Sequence, residues 1–154
     1  MDFIRANDFD LLPHLAALVA AYILALPIGW NREREARSAG IRTFPLVAVA
    51  SCGFVLAAQS VLSGHPEGTA RVIEGVITGM GFIGGGAILK VKESVHGTAT
   101  AASLWITGAI GVSVGLGSYD VAILLALTTM VTLWVLSGVK DKIAENGDAG
   151  ETRP

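Results

Sequence analysis

Five stretches of mostly apolar residues, at 11–29, 44–62, 72–89, 99–116 and 121–139, alternate with short polar connections along the chain. Each is close to the ~20 residues that a helix needs to cross a bilayer core. The runs are continuous, unlike the in-out alternation of outer-membrane strands, and a backbone in lipid must satisfy its own hydrogen bonds. The pattern therefore predicts an all-α, polytopic transmembrane bundle of five helices. The fourth and fifth helices should form a tight hairpin across Ser118, Tyr119 and Asp120. Residues 1–139 make up the transmembrane domain, and the polar stretch 140–154 (KDKIAENGDAGETRP) is expected to be a frayed helix end followed by a disordered cytoplasmic tail.

Charge orients the bundle. Of eleven Lys and Arg residues, nine fall on one side of the membrane: Arg32, Arg34, Arg37 and Arg42 after the first run, Lys90 and Lys92 after the third, and Lys140, Lys142 and Arg153 after the fifth. Only Arg5 and Arg71 fall on the other. Positive charge gathers in cytoplasmic loops, which puts the N-terminus outside and the C-terminus in the cytoplasm. Asp2, Asp8 and Asp10 outnumber Arg5 ahead of the first run, the reverse of a cleaved signal peptide. Trp30 and Tyr119, at opposite ends of their helices, suit headgroup-level anchoring.

Composition removes several function classes. At 154 residues, 52% hydrophobic and 16% charged, with a formal net charge of -2, the chain is one membrane domain without the basic excess that tracks a nucleic-acid backbone. Its single cysteine, Cys52, excludes an intrachain disulfide or a CxxC metal site. His65 and His96 lie in loops on opposite sides and His14 near the first helix's start, so no metal site and no cofactor is expected. No nucleophile-base arrangement points to an enzyme, and Gly79-Met80-Gly81-Phe82-Ile83-Gly84 matches GxGxxG in letters only, lying inside a span.

Glycine marks the third and fourth runs, with eleven of nineteen between Gly75 and Gly117. Gly75/Gly79, Gly81/Gly85 and Gly111/Gly115 are GxxxG pairs, which let helix backbones approach closely. Thr100, Ser103, Thr107, Gly111 and Gly115 form one small, weakly polar stripe. Two readings stand for Gly84, Gly85 and Gly86: a tight helix seam, or a break in the third helix that exposes backbone groups to an ion. The surplus of glycine faces also fits a homodimer.

Glu74 is the one ionisable group clearly inside a run, three residues after Arg71 and so on the same helix face. Either it sits near the outer interface paired with Arg71, or it faces the bundle interior as a proton- or cation-responsive carboxylate. The first loop alternates in sign through Arg32, Glu33, Arg34, Glu35 and Arg37, a pattern that allows internal ion pairs or docking of a partner.

The chain resembles the MgtC/SapB family of bacterial inner-membrane proteins over about residues 22–130. Three blocks carry the likeness: Glu33-Arg34-Glu35 with Ala39-Gly40-Ile41-Arg42-Thr43; Arg71 with Gly79-Met80-Gly81-Phe82-Ile83-Gly84-Gly85-Gly86-Ala87-Ile88; and Gly97 with Thr100-Ala101-Ala102-Ser103-Leu104-Trp105. It departs where the family often has an Asp three residues before the Arg matching Arg71, here Gly68, and at Gly97-Thr98-Ala99-Thr100, where G-L-T-T is usual. The chain is similar to the short, membrane-only form, without the cytoplasmic ACT-like domain of the MgtC branch. The resemblance implies a multispan inner-membrane protein linked to growth at low magnesium, acid tolerance and, in pathogens, survival in host cells. It also implies the F-type ATP synthase as a membrane partner.

Two functions follow as expectations. The first is a regulatory or partner-binding membrane protein, with Glu33, Arg34, Glu35, Arg42, Arg71 and Glu74 as candidate contacts beside membrane lipid. The second is a small transporter or channel for magnesium or protons along Glu74 and the backbone at Gly84, Gly85 and Gly86. A hydrated divalent ion calls for several oxygen ligands, and this interior offers one carboxylate, which ranks transport second.

Overall fold

The computed structural model describes residues 11–35, 39–62, 65–91 and 94–151, with side chains described for all of these except Val91 and 136–151. Five helices and one short hairpin make up the fold: α1 (Leu11–Glu35), α2 (Thr43–Val61), α3 (Pro66–Gly86), β1 (Leu89–Val91), β2 (Ser94–His96), α4 (Thr98–Gly115) and α5 (Tyr119–Glu151). Arg5, Arg37, Lys92 and Arg153, counted above for orientation, lie outside the described residues.

α4 is the central helix. It packs on each of the other four, most extensively on α2. The reason is a lack of bulk: between lipid-immersed helices there is little hydrophobic drive, so close backbone packing carries the association. A Cβ on Gly111 would collide with the backbone carbonyl of Ala48 on α2, and one on Gly115 would lie 2.8 Å from Val55 Cβ and 3.0 Å from the Cys52 carbonyl oxygen. α2 answers with Val47, Ala48, Ser51, Cys52, Val55 and Ala58, a buried stripe at three- and four-residue steps. α1 contributes Ala17, Ala21, Ala25, Ile28 and Gly29 in the same rhythm. Bulky side chains face outward instead, among them Ile23, Leu46, Phe54, Phe82, Leu124 and Trp134, as a lipid-facing surface requires.

The hydroxyls buried in this seam are satisfied within their own helices. Ser103 donates to the Ala99 carbonyl (2.7 Å), Thr107 to Ser103 (2.8 Å), Ser113 to Ala109 (2.9 Å) and, on α5, Thr129 to Leu125 (2.7 Å). Such i−4 bonds let polar residues occupy an apolar core without a cross-helix partner. The buried Thr100 hydroxyl has no hydrogen-bond partner among the described residues.

The structure sets the ends of two helices. The third apolar run is not broken at its glycines: α3 is continuous from Pro66, with proline at a first-turn position that needs no amide, and Gly84, Gly85 and Gly86 are its last turn. The Gly84 and Gly85 carbonyls accept from the amides of Ala87 (3.0 Å) and Ile88 (3.1 Å). They close the helix at its end. The chain then turns into the β1–β2 hairpin, registered Leu89 to His96 and Val91 to Ser94, which short mixed-polarity sequence did not announce. Gly97, at φ 89°, ends it where a side chain would run into the Ala87 carbonyl. At the other end the helical backbone of α5 extends to Glu151, past the end of the apolar run at 139.

The α4–α5 turn lies slightly before its expected place. Gly117 takes φ 78°, its amide bonds to the Val114 carbonyl (2.9 Å) and the Ser118 amide to Ser113 (2.9 Å). This is a Schellman closure, which needs the left-handed residue that glycine supplies.

Three of the helices, α1, α2 and α4, are long and apolar enough to cross a membrane, and Tyr119–Val135 of α5 is a shorter apolar helix. Glycine in α3 dilutes its apolarity. The glycine contacts yield a direct test by unfolding in mixed detergent: Gly111→Ala is expected to destabilise by about 1–3 kcal/mol through overpacking. Gly79→Ala, with nothing within 4 Å of the added carbon, should be neutral or stabilising by up to about 1 kcal/mol.

Candidate functional site

The charged motif at the end of α1 is folded back on itself by two glycines. Gly29 faces the connection to α2, where a Cβ would lie 3.1 Å from Ile41 Cα and 3.2 Å from the Gly40 carbonyl oxygen. One turn on, the Glu33 carboxylate occupies the space where a Gly40 side chain would be and accepts a hydrogen bond from the Ile41 amide (3.1 Å). The Gly40 carbonyl in turn accepts from the Thr43 and Phe44 amides (2.9 and 3.2 Å), which starts α2. Glu33 is thus a clasp on backbone, and the ion pairs that the alternating signs allowed do not form among the described residues.

The other charges of the motif go separate ways. Arg34 is exposed and lies over the Trp30 ring, 5.3 Å from its centroid, a cation–π contact at the helix end. Glu35 and Arg42 are exposed. Arg32, which the sequence reading counted for topology and in the alternating-sign loop, is buried at 5% exposure. Its Nε and Nη2 both donate to Asn31 Oδ1 (3.0 and 2.6 Å). The signal was in the sequence: Ala17, Ala21, Ala25, Gly29 and Arg32 follow one helical stripe, so the buried face of α1 runs through the arginine.

Beside Arg32 lies a cavity of about 350 Å³ between the ends of α1, α4 and α5. Arg32 and Glu35 line it with Ser103 of α4 and Thr128, Thr129 and Thr132 of α5. Its remaining wall is apolar: Ala99, Ala102, Ile106, Leu125 and Leu133.

The third-helix candidates form a second, different surface. Gly75 and Gly79 line an open apolar groove of about 520 Å³ between α2 and α3, with Val72, Val76, Phe54 and Ile83. Among the described residues, nothing beyond the adjoining helix backbone comes within 4 Å of a Cβ placed on Gly75, Gly79, Gly81, Gly85 or Gly86. Gly84 alone of these packs inward, on the Ala101 carbonyl (3.3 Å). Arg71 and Glu74 are both exposed and no salt bridge joins them, while the Glu74 backbone carbonyl accepts from Thr78 Oγ1 (2.9 Å). Thr100, Ser103, Thr107, Gly111 and Gly115 are buried in the α4 seam. The sequence candidates therefore divide among a loop clasp, an outer glycine face and a packed interior. No group of three His, Cys, Asp or Glu stands close enough to hold a metal ion among the described residues.

This architecture, a glycine-seamed helical membrane bundle with a clasped charged loop, has known relatives. Residues 18–142 match the MgtC family. The chain is 38% identical over 135 residues to protein SrpB of Synechococcus elongatus, covering 80% of this chain and 72% of SrpB. It is 35% identical over 113 residues to protein MgtC of Salmonella typhimurium, covering 73% of this chain and 48% of MgtC. It is also 36% identical over 124 residues to YhiD of Escherichia coli, covering 77% of this chain and 58% of YhiD, a protein whose name assigns it provisionally to magnesium transport. The chain belongs to the MgtC family. It spans about half the length of several curated relatives that it matches. No solved structure gives a significant match.

The clasp is testable by paired variants. Glu33→Ala removes one charge-assisted bond to backbone and is expected to cost about 1–2 kcal/mol in detergent unfolding. Gly40→Ala displaces the same carboxylate and adds a clash, so its loss should be at least as large and should shrink when Glu33→Ala is also present.

Proposed function

We propose that this chain is a five-span protein of the bacterial inner membrane, N-terminus outside and C-terminus cytoplasmic, that serves magnesium homeostasis and tolerance of low magnesium or acid as a regulatory, partner-binding protein. The observation that carries this reading is the division of its glycines. Gly111 and Gly115 of α4 are consumed in the packing of the bundle against α2 and Gly108 against Met80 of α3, whereas Gly75 and Gly79 of α3 stand open along a groove. A helix gains from exposed glycines only when another backbone comes close, because unpaired glycine weakens a helix by about 1 kcal/mol per residue. The α3 face is therefore the docking surface, for a membrane protein partner or a second copy of this chain. The F-type ATP synthase is the partner that the family resemblance implies.

Transport of magnesium or protons is the second reading. The name of YhiD favours it, and so does the position of Glu74 beside the open face, since a second copy packed along Gly75 and Gly79 would bring two Glu74 carboxylates together. Flux separates the two. Magnesium and proton flux into liposomes holding the purified protein is expected to match that of empty liposomes, with wild type and Glu74→Gln alike. Flux that disappears with Glu74→Gln would establish the transport reading instead. In membranes, a photo-crosslinking residue at Gly79 should capture a specific protein product, and one at buried Gly111 should not.

A further inference from the structure

The cavity beside Arg32 lacks the acceptors that its arginine requires. A guanidinium carries five N–H donors, and here two of them share one acceptor, Asn31 Oδ1. That leaves three N–H groups without an acceptor among the described residues, on a residue only 5% exposed. No carboxylate forms an ion pair with it among the described residues. Burying a charge in this condition is costly unless an acceptor arrives from outside, and a cavity of about 350 Å³ adjoins it.

The other walls define what fits. Glu35 lines the same cavity one helical turn from Arg32, about 5 Å along the axis. A simple anion that met Arg32 would be repelled there, so the charge pattern calls for a ligand with an oxyanion and a cation one turn apart. Beside this charged end the cavity runs between α4 and α5 as a channel whose wall is mainly apolar, Ala99, Ala102, Ile106, Leu125 and Leu133, with the hydroxyl side chains of Ser103, Thr128, Thr129 and Thr132 among them. The site lies at the end of an apolar helix, level with the Trp30–Arg34 contact, where aromatic rings meet headgroups. We propose that this cavity binds a phospholipid whose headgroup carries a phosphate and a primary amine, the phosphate on Arg32, the amine on Glu35 and an acyl chain along the α4–α5 channel.

Native mass spectrometry of the delipidated full chain in detergent tests this, with phosphatidylethanolamine, phosphatidylcholine, phosphatidylglycerol and free phosphoethanolamine as probes. Phosphatidylethanolamine should be retained more strongly than the other three. Arg32→Gln should lower its retention about tenfold, the effect of one lost charged hydrogen bond. Glu35→Gln, at an exposed position that leaves packing intact, should reduce it to the phosphatidylcholine level, and this variant decides the matter if Arg32→Gln does not fold. Equal retention of the three lipids, unchanged by Glu35→Gln, would overturn the proposal, as would preference for phosphatidylglycerol. Free phosphoethanolamine held as tightly as the lipid would overturn the lipid source.

Discussion

A carbonyl of α2 fills the place where residue 111 would carry a side chain, so α2 and α4 meet backbone to backbone, and the rest of the bundle is arranged around that approach. In lipid, two helices gain little by hiding apolar surface from each other, and their association rests on contact distance and on satisfied polar groups. Small residues supply the first. The i−4 hydroxyl bonds of Ser103, Thr107 and Ser113 supply the second, because each lets α4 carry a polar atom into the seam with its hydrogen already engaged. α1, α3 and α5 pack on the same central helix, whose Leu104, Ile110 and Val114 are fully buried.

The same physics explains how far the sequence could be read. Continuous apolar runs are set by bilayer thickness, so the existence and order of the five helices were legible, as was the tight connection between the last two. The glycine stripe of α4 was legible as a seam because its small residues recur at helical spacing. The identical signal on α3 had a different outcome. Gly75 and Gly79 have the spacing of Gly111 and Gly115, yet only the tertiary arrangement decides which pair meets a neighbour within the chain. Pattern alone also could not place Gly84, Gly85 and Gly86 at a helix end, since glycine is tolerated inside buried spans as well as at their termini.

The charged loop was legible as a motif and opaque as a geometry. Sequence pairs charges by sign, whereas the fold matches Glu33 with a backbone amide and Arg34 with an aromatic ring. The burial of Arg32 was not foreseen, because a cation at the end of an apolar run is ordinarily read for topology. Its place on the stripe of Ala17, Ala21 and Ala25 was the contrary sign, and following the helical period three residues past the apolar boundary would have found it.

That stripe also fixes how α1 can move. Each residue along an α-helix turns the next by about 100°, so rolling α1 by a single position would swing Gly29 away from the connection to α2 and Arg32 out of its cavity together. A half-buried helix held only by apolar contacts could slip or swivel with small loss. Here a steric key and an electrostatic one are cut into the same edge, three residues apart, and α1 is indexed in rotation as well as in depth. A roll of α1 that moved Arg32 would therefore also move Gly29 against the connection that begins α2.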